Sequence, residues 1–368
     1  MKHILVCTVG TSLKKNLAHA PDEKLKELIG SANVQGIVSA LSVTDPADRL
    51  NGAEINSITG ILEKGLLDQR NTLYLLVSDT EDGALTGRIL KAYYENGKNP
   101  RRFDKVETVT LEGLSDRSAA DFKTRGLRNL VKAIAEIVKK HGAESVLINA
   151  TGGYKAQISF AGMIGQALEI PVCYLFEKFS EVIALPPQPI SLDLGFWLAN
   201  ATLFFDLAGD GLDKNPADAD PRFAGLIDEI EVDNTRLVGL SATGQLFHEM
   251  FCFRFQQQRG RLLPPDAGIA SDAKVIKYED SNKGRHSGLE PWLKKLCGAP
   301  YVKRIYTHYH HYSLPLKNYF RPSAKGDFSQ VEGSFSDGHA TTKFDIVTTA
   351  KTADQRDAVI ADLSSRFV

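Results

Sequence analysis

Asn149-Ala150-Thr151-Gly152-Gly153-Tyr154-Lys155 separates a strand-like apolar run, Glu144 to Asn149, from an apolar helix pattern, Ala156 to Leu168. Paired glycines let a backbone turn through positive φ and come close to a ligand. The first amides of a helix lack partners inside it and point at whatever precedes the helix. Lys155 adds a fixed positive charge. Together these residues describe a phosphate pocket. A second turn, Val9-Gly10-Thr11-Ser12, closes the first strand of the chain. Two such turns at strand carboxyl ends of one parallel sheet predict a single crevice.

The surrounding pattern supports that sheet. Ile4–Val9, Gly36–Val43, Leu73–Val77 and Val146–Ile148 read as short strands. Leu17–Ile29, Ile55–Leu67, Leu85–Tyr94 and Asp121–Lys140 read as helices between them. Alternation of this kind predicts an α/β, doubly wound, Rossmann-like domain covered on both faces. Val172–Phe176 and Val182–Ala184 close it, and Pro186-Pro187-Gln188-Pro189 marks a boundary, so the first domain spans 1–190. Residues 191–265 are expected to form a small helical domain, with helices at Leu192–Leu207, Phe223–Ile230 and Ala242–Gln257. Ser241 is the N-cap of the last. The stretch Leu240 to Phe247 resembles a winged-helix segment, and Pro264-Pro265-Asp266-Ala267-Gly268 is a second linker.

Residues 266–368 change character. Val275–Tyr278, Val302–Tyr312, Phe328–Phe335 and Thr341–Val347 read as strands, and Leu289–Cys297 and Ala353–Arg366 as helices. That order predicts an α+β domain with an antiparallel sheet.

The chain has 368 residues, 43% hydrophobic and 24% charged, as ordinary soluble proteins do. Its four cysteines, Cys7, Cys173, Cys252 and Cys297, form no CxxC pair, which argues against a zinc site or a disulfide scaffold. The amino terminus enters a strand directly, so no signal peptide is expected, and the apolar run Leu192–Ala208 carries Asp193 and Asp206. A cytoplasmic protein with no membrane span follows as the expectation. Net charge is −1 but unevenly placed. Between 283 and 325 stand nine bases and one acid, Glu290, and five of the nine histidines lie in the last domain. Such a patch suits a polyanion.

The first domain has neither G-x-G-x-x-G nor G-x-x-x-x-G-K-[ST], so neither a dinucleotide fold nor an NTPase is indicated. Its candidate ligand residues are Gly10, Thr11, Ser12, Ser78, Asp79, Thr80, Asn149, Thr151, Gly152, Gly153 and Lys155. Hydroxyls and glycine amides suit phosphodiester oxygens, ribose hydroxyls and base edges.

At Thr8-Val9-Gly10-Thr11-Ser12-Leu13, at 149–155 and at the Leu-Pro-Pro-Gln-Pro-Ile-Ser exit of 185–191, the chain resembles the CARF family, sensor domains of type III CRISPR effectors in antiviral defence. The resemblance covers about 1–185. It implies a homodimer binding one cyclic oligoadenylate across its two-fold axis, with cyclic tetra-adenylate the expected activator. It also implies ring contacts from Gly10, Thr11, Ser12, Thr151, Gly152, Gly153 and Lys155. Slow ring cleavage by Ser12 and Lys155 is a further implication.

In the last domain, Tyr301 to Tyr312 alternates bases with aromatics, which suits single-stranded nucleic acid. Strand alternation puts Arg304, Tyr306, His308 and His310 on one face, with Ile305 and Thr307 on the other. In 341–347, Phe344 and Ile346 look inward while Lys343 and Asp345 point out. His308-Tyr309-His310-His311 has no Cys or carboxylate nearby in sequence, so no metal and no cofactor are expected. By element order and by these residue types, 270–368 resembles the RelE family of ribosome-dependent mRNA interferases. That resemblance implies metal-free cleavage by 2′-hydroxyl attack, with mRNA and the ribosome as partners. The candidate catalytic residues are Arg304, His308, His310, Lys317, Arg321, His339 and Lys343; base and acid are not separated among them.

Two alternatives remain open. A HEPN-type ribonuclease needs R-x(4–6)-H on a helix, a spacing that Arg304 and His310 satisfy. A ligand-controlled winged-helix DNA-binding regulator is the other, although Asp228, Glu229, Glu231 and Asp233 oppose phosphate contact there.

Overall fold

The structure, a computed structural model, describes residues 1–176, 181–186, 194–209, 211–232, 235–324 and 327–367. The expected boundary at 187–189, the 187–191 part of the exit motif and Lys325 lie outside the described residues. The chain divides into two compact units. One holds Met1–Ser191, Arg222–Asp228 and Ser241–Glu249, the other Leu192–Pro221, Glu229–Leu240 and Met250–Val368.

The first unit runs β1 (Ile4–Thr8), α1 (Ser12–Ala18), α2 (Glu23–Gly30), α3 (Val34–Leu41), α4 (Gly52–Glu63), β2 (Thr72–Ser78), α5 (Glu81–Glu95) and β3 (Lys105–Leu111). It continues with α6 (Ala119–Asp121), α7 (Leu127–His141), β4 (Val146–Asn149), α8 (Lys155–Ala167), β5 (Val172–Tyr174) and β6 (Ile183–Leu185). The strands form one sheet in the order β3-β2-β1-β4-β5-β6, parallel except for the β5–β6 pair. Every residue of β1, β2 and β4 is buried, which is the pattern of a sheet covered on both faces. On α7, Leu127, Leu130, Val131, Ile134 and Val138 recur at helical spacing and are buried. Each such Leu or Ile stabilises the fold by about 1.5–3 kcal/mol. The strand order reverses between β1 and β4, where ligands bind in open α/β sheets.

Several sequence expectations are corrected here. Gly36–Val43 is not a strand: Gly36–Leu41 lies in α3 and Ser42 and Val43 in the turn after it; the Asn33 side chain caps α3 by accepting from the Gly36 amide at 2.9 Å, and Ile37, Val38 and Leu41 bury one helical face. The single helix expected over Leu17–Ile29 is two, because Pro21 interrupts it and Asp22 caps α2. Strand β3 was not foreseen, since its KVETVTL sequence is half polar at the sheet edge.

The remaining elements are α9 (Leu194–Ala199), α10 (Ala201–Ala208), β7 (Ile227–Val232), β8 (Thr235–Leu240), α11 (Ala242–Leu262), β9 (Val275–Tyr278), α12 (Leu289–Cys297) and β10 (Val302–His311). After them come β11 (Tyr319–Pro322), β12 (Gln330–Ser336), β13 (Thr341–Thr348) and α13 (Ala353–Phe367). The helix expected at Phe223–Ile230 is replaced by a turn and the start of β7, which pairs with β8. Ser241 caps α11 as expected, its Oγ accepting from the Gly244 amide at 3.0 Å. A five-stranded sheet in the order β11-β12-β13-β10-β9 is antiparallel except for β9–β10. Its helix-covered side is aromatic: Trp292 stacks on Phe320 at 5.9 Å and meets Phe335 and Phe344, both at 5.4 Å. The buried Asp362 of α13 accepts from Arg259 Nε at 2.6 Å and from the Tyr301 hydroxyl at 2.7 Å.

Among the described residues, no helix is long and apolar enough to cross a membrane.

Candidate functional site

At the end of β1, the Thr8 hydroxyl donates to the Gly152 carbonyl at 2.6 Å, tying the first turn to the second. Gly10 and Gly153 then meet so closely that a Cβ on Gly10 would stand 2.6 Å from the Gly153 nitrogen. Gly153 has φ +105°, and a Cβ there would strike the Gln157 side chain. Both glycines are therefore demanded by the geometry. Gly10, Thr11, Ser78, Thr80 and Gly153 line one cleft of about 470 Å³ with Lys15, Arg117 and Tyr154.

Not every sequence candidate faces that cleft. Ser12 and Thr151 line a second hollow with Asn16, Arg49 and Asn56. Asn149 is fully buried; its Nδ2 donates to Ser57 Oγ at 2.8 Å and its Oδ1 accepts from Thr151 Oγ1 at 2.6 Å. The Ser57 contact cross-links β4 to α4, and the Thr151 contact holds the turn after β4. Gly152 is buried, Lys155 is exposed at the start of α8, and Asp79 is exposed with Oδ2 3.4 Å from the Gly113 amide. Thr80 caps α5 by accepting from the Gly83 amide at 3.0 Å, and its Oγ1 lies 2.9 Å from Ser78 Oγ.

Sequence reasoning missed the cleft's charges. Lys15 comes from α1, Glu81 and Asp82 from α5, and Asp116 and Arg117 from the loop after β3. Asp82 is paired with Lys14. The loop went unseen because β3 did. A π-helical turn, Phe122–Gly126, follows it, and Phe122 packs edge-on against Tyr154 at 5.2 Å.

It also missed Glu54. This acid of the first turn of α4 is 0% exposed. Its Oε1 accepts from the Gly10 amide at 2.7 Å, and its Oε2 lies 3.4 Å from Ser12 Oγ. A Cβ on Gly152 would come within 2.0 Å of that same Oε1. The Gly10 amide thus already serves an internal carboxyl. Burial pushes the Glu54 carboxyl above its usual range, while the Gly10 amide, its own amide and Ser12 oppose the rise.

The second candidate surface is the sheet face away from α12. Strand register sets Tyr306, Asp345, Glu332 and Arg321 in one row across β10, β13, β12 and β11. Glu332 Oε1 accepts from Arg321 Nε at 2.9 Å, Arg321 Nη2 at 2.5 Å and the Tyr319 hydroxyl at 2.7 Å. The Arg321 guanidinium also lies over the Tyr319 ring at 4.7 Å. Burial raises the Glu332 carboxyl, but Tyr319 and Arg321 outweigh it and leave the group below its ordinary range. Burial and Glu332 hold the Tyr319 phenol well above its own. Lys343 Nζ sits over the Tyr309 ring at 5.2 Å, and His308 Nε2 is 3.8 Å from Asp345 Oδ2. Arg304 is exposed on β10.

Two expectations fail on this face, and one feature was not foreseen. His310 leaves it: the β10–β13 register shifts between Thr307 and Tyr309, and the bulge turns His310 inward to 8% exposure. There its Nδ1 meets Thr342 Oγ1 at 2.8 Å, and burial, with His286 nearby, lowers its basicity. Asp345 does not point into solvent but is 2% exposed. The cluster also has its carboxylates. Glu332 and Asp345 are register partners, and with His308 they bring ligand atoms within 4.8 Å of one another, chemistry able to hold a divalent cation. Lys317 lies with Asn318 along a hollow of about 620 Å³, and His339 sits exposed in the turn before β13. The Arg304-to-His310 spacing falls on a strand, not on the helix that a HEPN nuclease needs.

Residues 49–188 match the family model of a CRISPR-associated protein, Cas_APE2256. The matched segment contains Glu54 and the 149–155 turn. No curated protein matches the chain. Among solved structures, it is similar to Can2 from Sulfobacillus thermosulfidooxidans in complex with cyclic tetra-adenylate. That likeness has 12% identity, covers 73% of this chain and 68% of that one, and has a TM-score of 0.23.

Proposed function

We propose that the first unit senses cyclic oligoadenylate, with cyclic tetra-adenylate as activator, and that the second is the endoribonuclease it switches. The observation that carries this reading is the shared cleft of Gly10, Thr11 and Gly153 at the β1/β4 reversal, in a chain whose 49–188 segment matches a CRISPR-associated family. Lys15 and Arg117 give that cleft its cations. A cytoplasmic homodimer binding one ring on its two-fold axis fits the reading.

The substrate is mRNA on the ribosome. A 2′-hydroxyl loses its proton and attacks the adjacent phosphorus, and the 5′-oxygen leaves after taking a proton. The pentacoordinate phosphorane needs cations, which Arg321, Lys343 and Arg304 supply. Burial, with the Glu332 carboxylate, raises the Tyr319 phenol, so it suits a hydrogen-bond donor better than a base. His308, beside Asp345, is the proton-transfer candidate. Activation is linkage: a ring that binds the active arrangement more tightly shifts the population toward it, and moving 1:99 to 99:1 takes about 5.5 kcal/mol.

Programmed ribosomes, mRNA and the protein, incubated with and without rings of different size, test this. Codon-phased cleavage that depends on a ring supports it; no cleavage with any ring removes it. The His308, Glu332 and Asp345 group favours a second reading, metal-assisted cleavage, in which EDTA abolishes activity and a divalent cation restores it.

A further inference from the structure

We propose that Glu54 is a positioning residue of the ring site, holding the Gly10–Ser12 turn from beneath and taking up one proton from solvent when an anionic ring binds. The inference rests on the sensor reading above and adds a residue and a proton to it.

Glu54 touches both glycine turns. Its carboxyl receives the Gly10 amide at 2.7 Å and approaches Ser12 Oγ at 3.4 Å, while Ser12 Oγ in turn accepts from the Ala53 amide at 3.1 Å. On the other side, Gly152 leaves room for Oε1 only because it has no side chain. The first turn, α4 and the second turn therefore close around one carboxyl.

That carboxyl has no cation to balance it among the described contacts. Its hydrogen-bond donors are the neutral Gly10 amide, its own amide and the Ser12 hydroxyl. The titratable groups facing it are Cys7 from β1 and Tyr94 from α5, both buried and both kept neutral by burial. Only amide and hydroxyl dipoles and the amino end of α4 stabilise a negative charge there. Gly10, whose amide Oε1 accepts, lines the cleft with Thr11 and Gly153. A ring phosphate arriving at those residues brings a second negative charge close to the first, one backbone amide away. Like charges in such a place favour the protonated acid. By linkage, binding and protonation then assist each other equally.

Calorimetry with cyclic tetra-adenylate tests this, in two buffers of different ionisation enthalpy, from about pH 6 to about pH 8.5. The wild type should take up at most one proton on binding, over the pH range in which Glu54 is ionised in the free protein and protonated in the complex, and its affinity should fall with rising pH across that range by at most tenfold per unit. Glu54→Gln, which keeps the acceptor and carries no charge, should bind within about threefold of the low-pH wild type at every pH. Glu54→Ala should bind weakly throughout. Equal pH profiles for wild type and Glu54→Gln, with no proton taken up, overturn the proposal while leaving the sensor reading intact. If Glu54→Gln does not fold, absence of proton uptake by the wild type overturns it just as well. Failure of every ring to bind a folded wild type defeats the sensor reading itself, and this inference with it.

Discussion

The amide nitrogen of Gly153 lies 2.6 Å from where a Cβ on Gly10 would stand, so the two turns touch backbone to backbone. Gly10→Ala must push them apart. It should cost about 1–3 kcal/mol and weaken ring binding as well. Gly162→Ala on α8 is the contrast: nothing lies within 4 Å of its added Cβ, and the change should stabilise by about 0.5–1 kcal/mol. Denaturation midpoints of the two variants, read beside the wild type, should move in opposite directions.

Arg117 lines the cleft that Gly10 and Gly153 share, whereas Lys155 stands exposed at the start of α8. Arg117→Ala should weaken cyclic tetra-adenylate about tenfold or more and flatten the salt dependence of binding. Lys155→Ala should leave the fold intact and uncouple the ring from RNA cleavage. Full activation of Lys155→Ala by the ring removes that lysine from the site.

Glu332 holds Arg321 through two N–H groups and Tyr319 through its hydroxyl, all on one oxygen. Glu332→Gln should release the phenol to titrate nearer its ordinary range, visible in the ultraviolet absorbance of tyrosinate. RNA cleavage should fall about 10- to 100-fold, as for Arg321→Ala, while ring affinity stays unchanged in both. An unaltered phenol titration in Glu332→Gln contradicts the contact.

His248 on α11 is buried, and burial lowers its pKa from 6.5 to about 4. The unfolded chain binds the proton first as pH falls, so this group favours the folded state fully above about pH 6.5. That contribution drains away between about pH 6.5 and about pH 4, by roughly 3 kcal/mol at the lower end. Urea midpoints across this range should fall more steeply for the wild type than for His248→Gln. Parallel slopes would show that the histidine does not drive the loss.

Much of the sheet was legible because its signals are local. The apolar runs at Ile4, Leu73 and Val146 are short and fully buried, and the glycine turns at 10 and 152–153 follow two of them. Gly36–Val43 misled because a short apolar run does not distinguish strand from helix; a side chain at Asn33 decided it. Strand alternation set Ile305 and Thr307 on the face opposite Arg304 but was carried past the bulge to His310, since a bulge is a feature of pairing between strands. Glu54 left almost no trace. An acid among isoleucines in the helix Gly52–Glu63 reads as a solvated position until β1 is laid over it.

The sequence alone determined the strand-and-helix alternation around the two glycine turns, the turns themselves and the cationic, aromatic character of 301–325, because each depends on residues near one another in the chain. Only tertiary structure decided which side chains share a cleft. It set Glu54 beneath Gly10, brought Arg117 to Gly153, joined Glu332 to Arg321 and turned His310 inward. Each of those contacts closes a loop between distant segments, and its position is set by strand order and register, which no local pattern encodes.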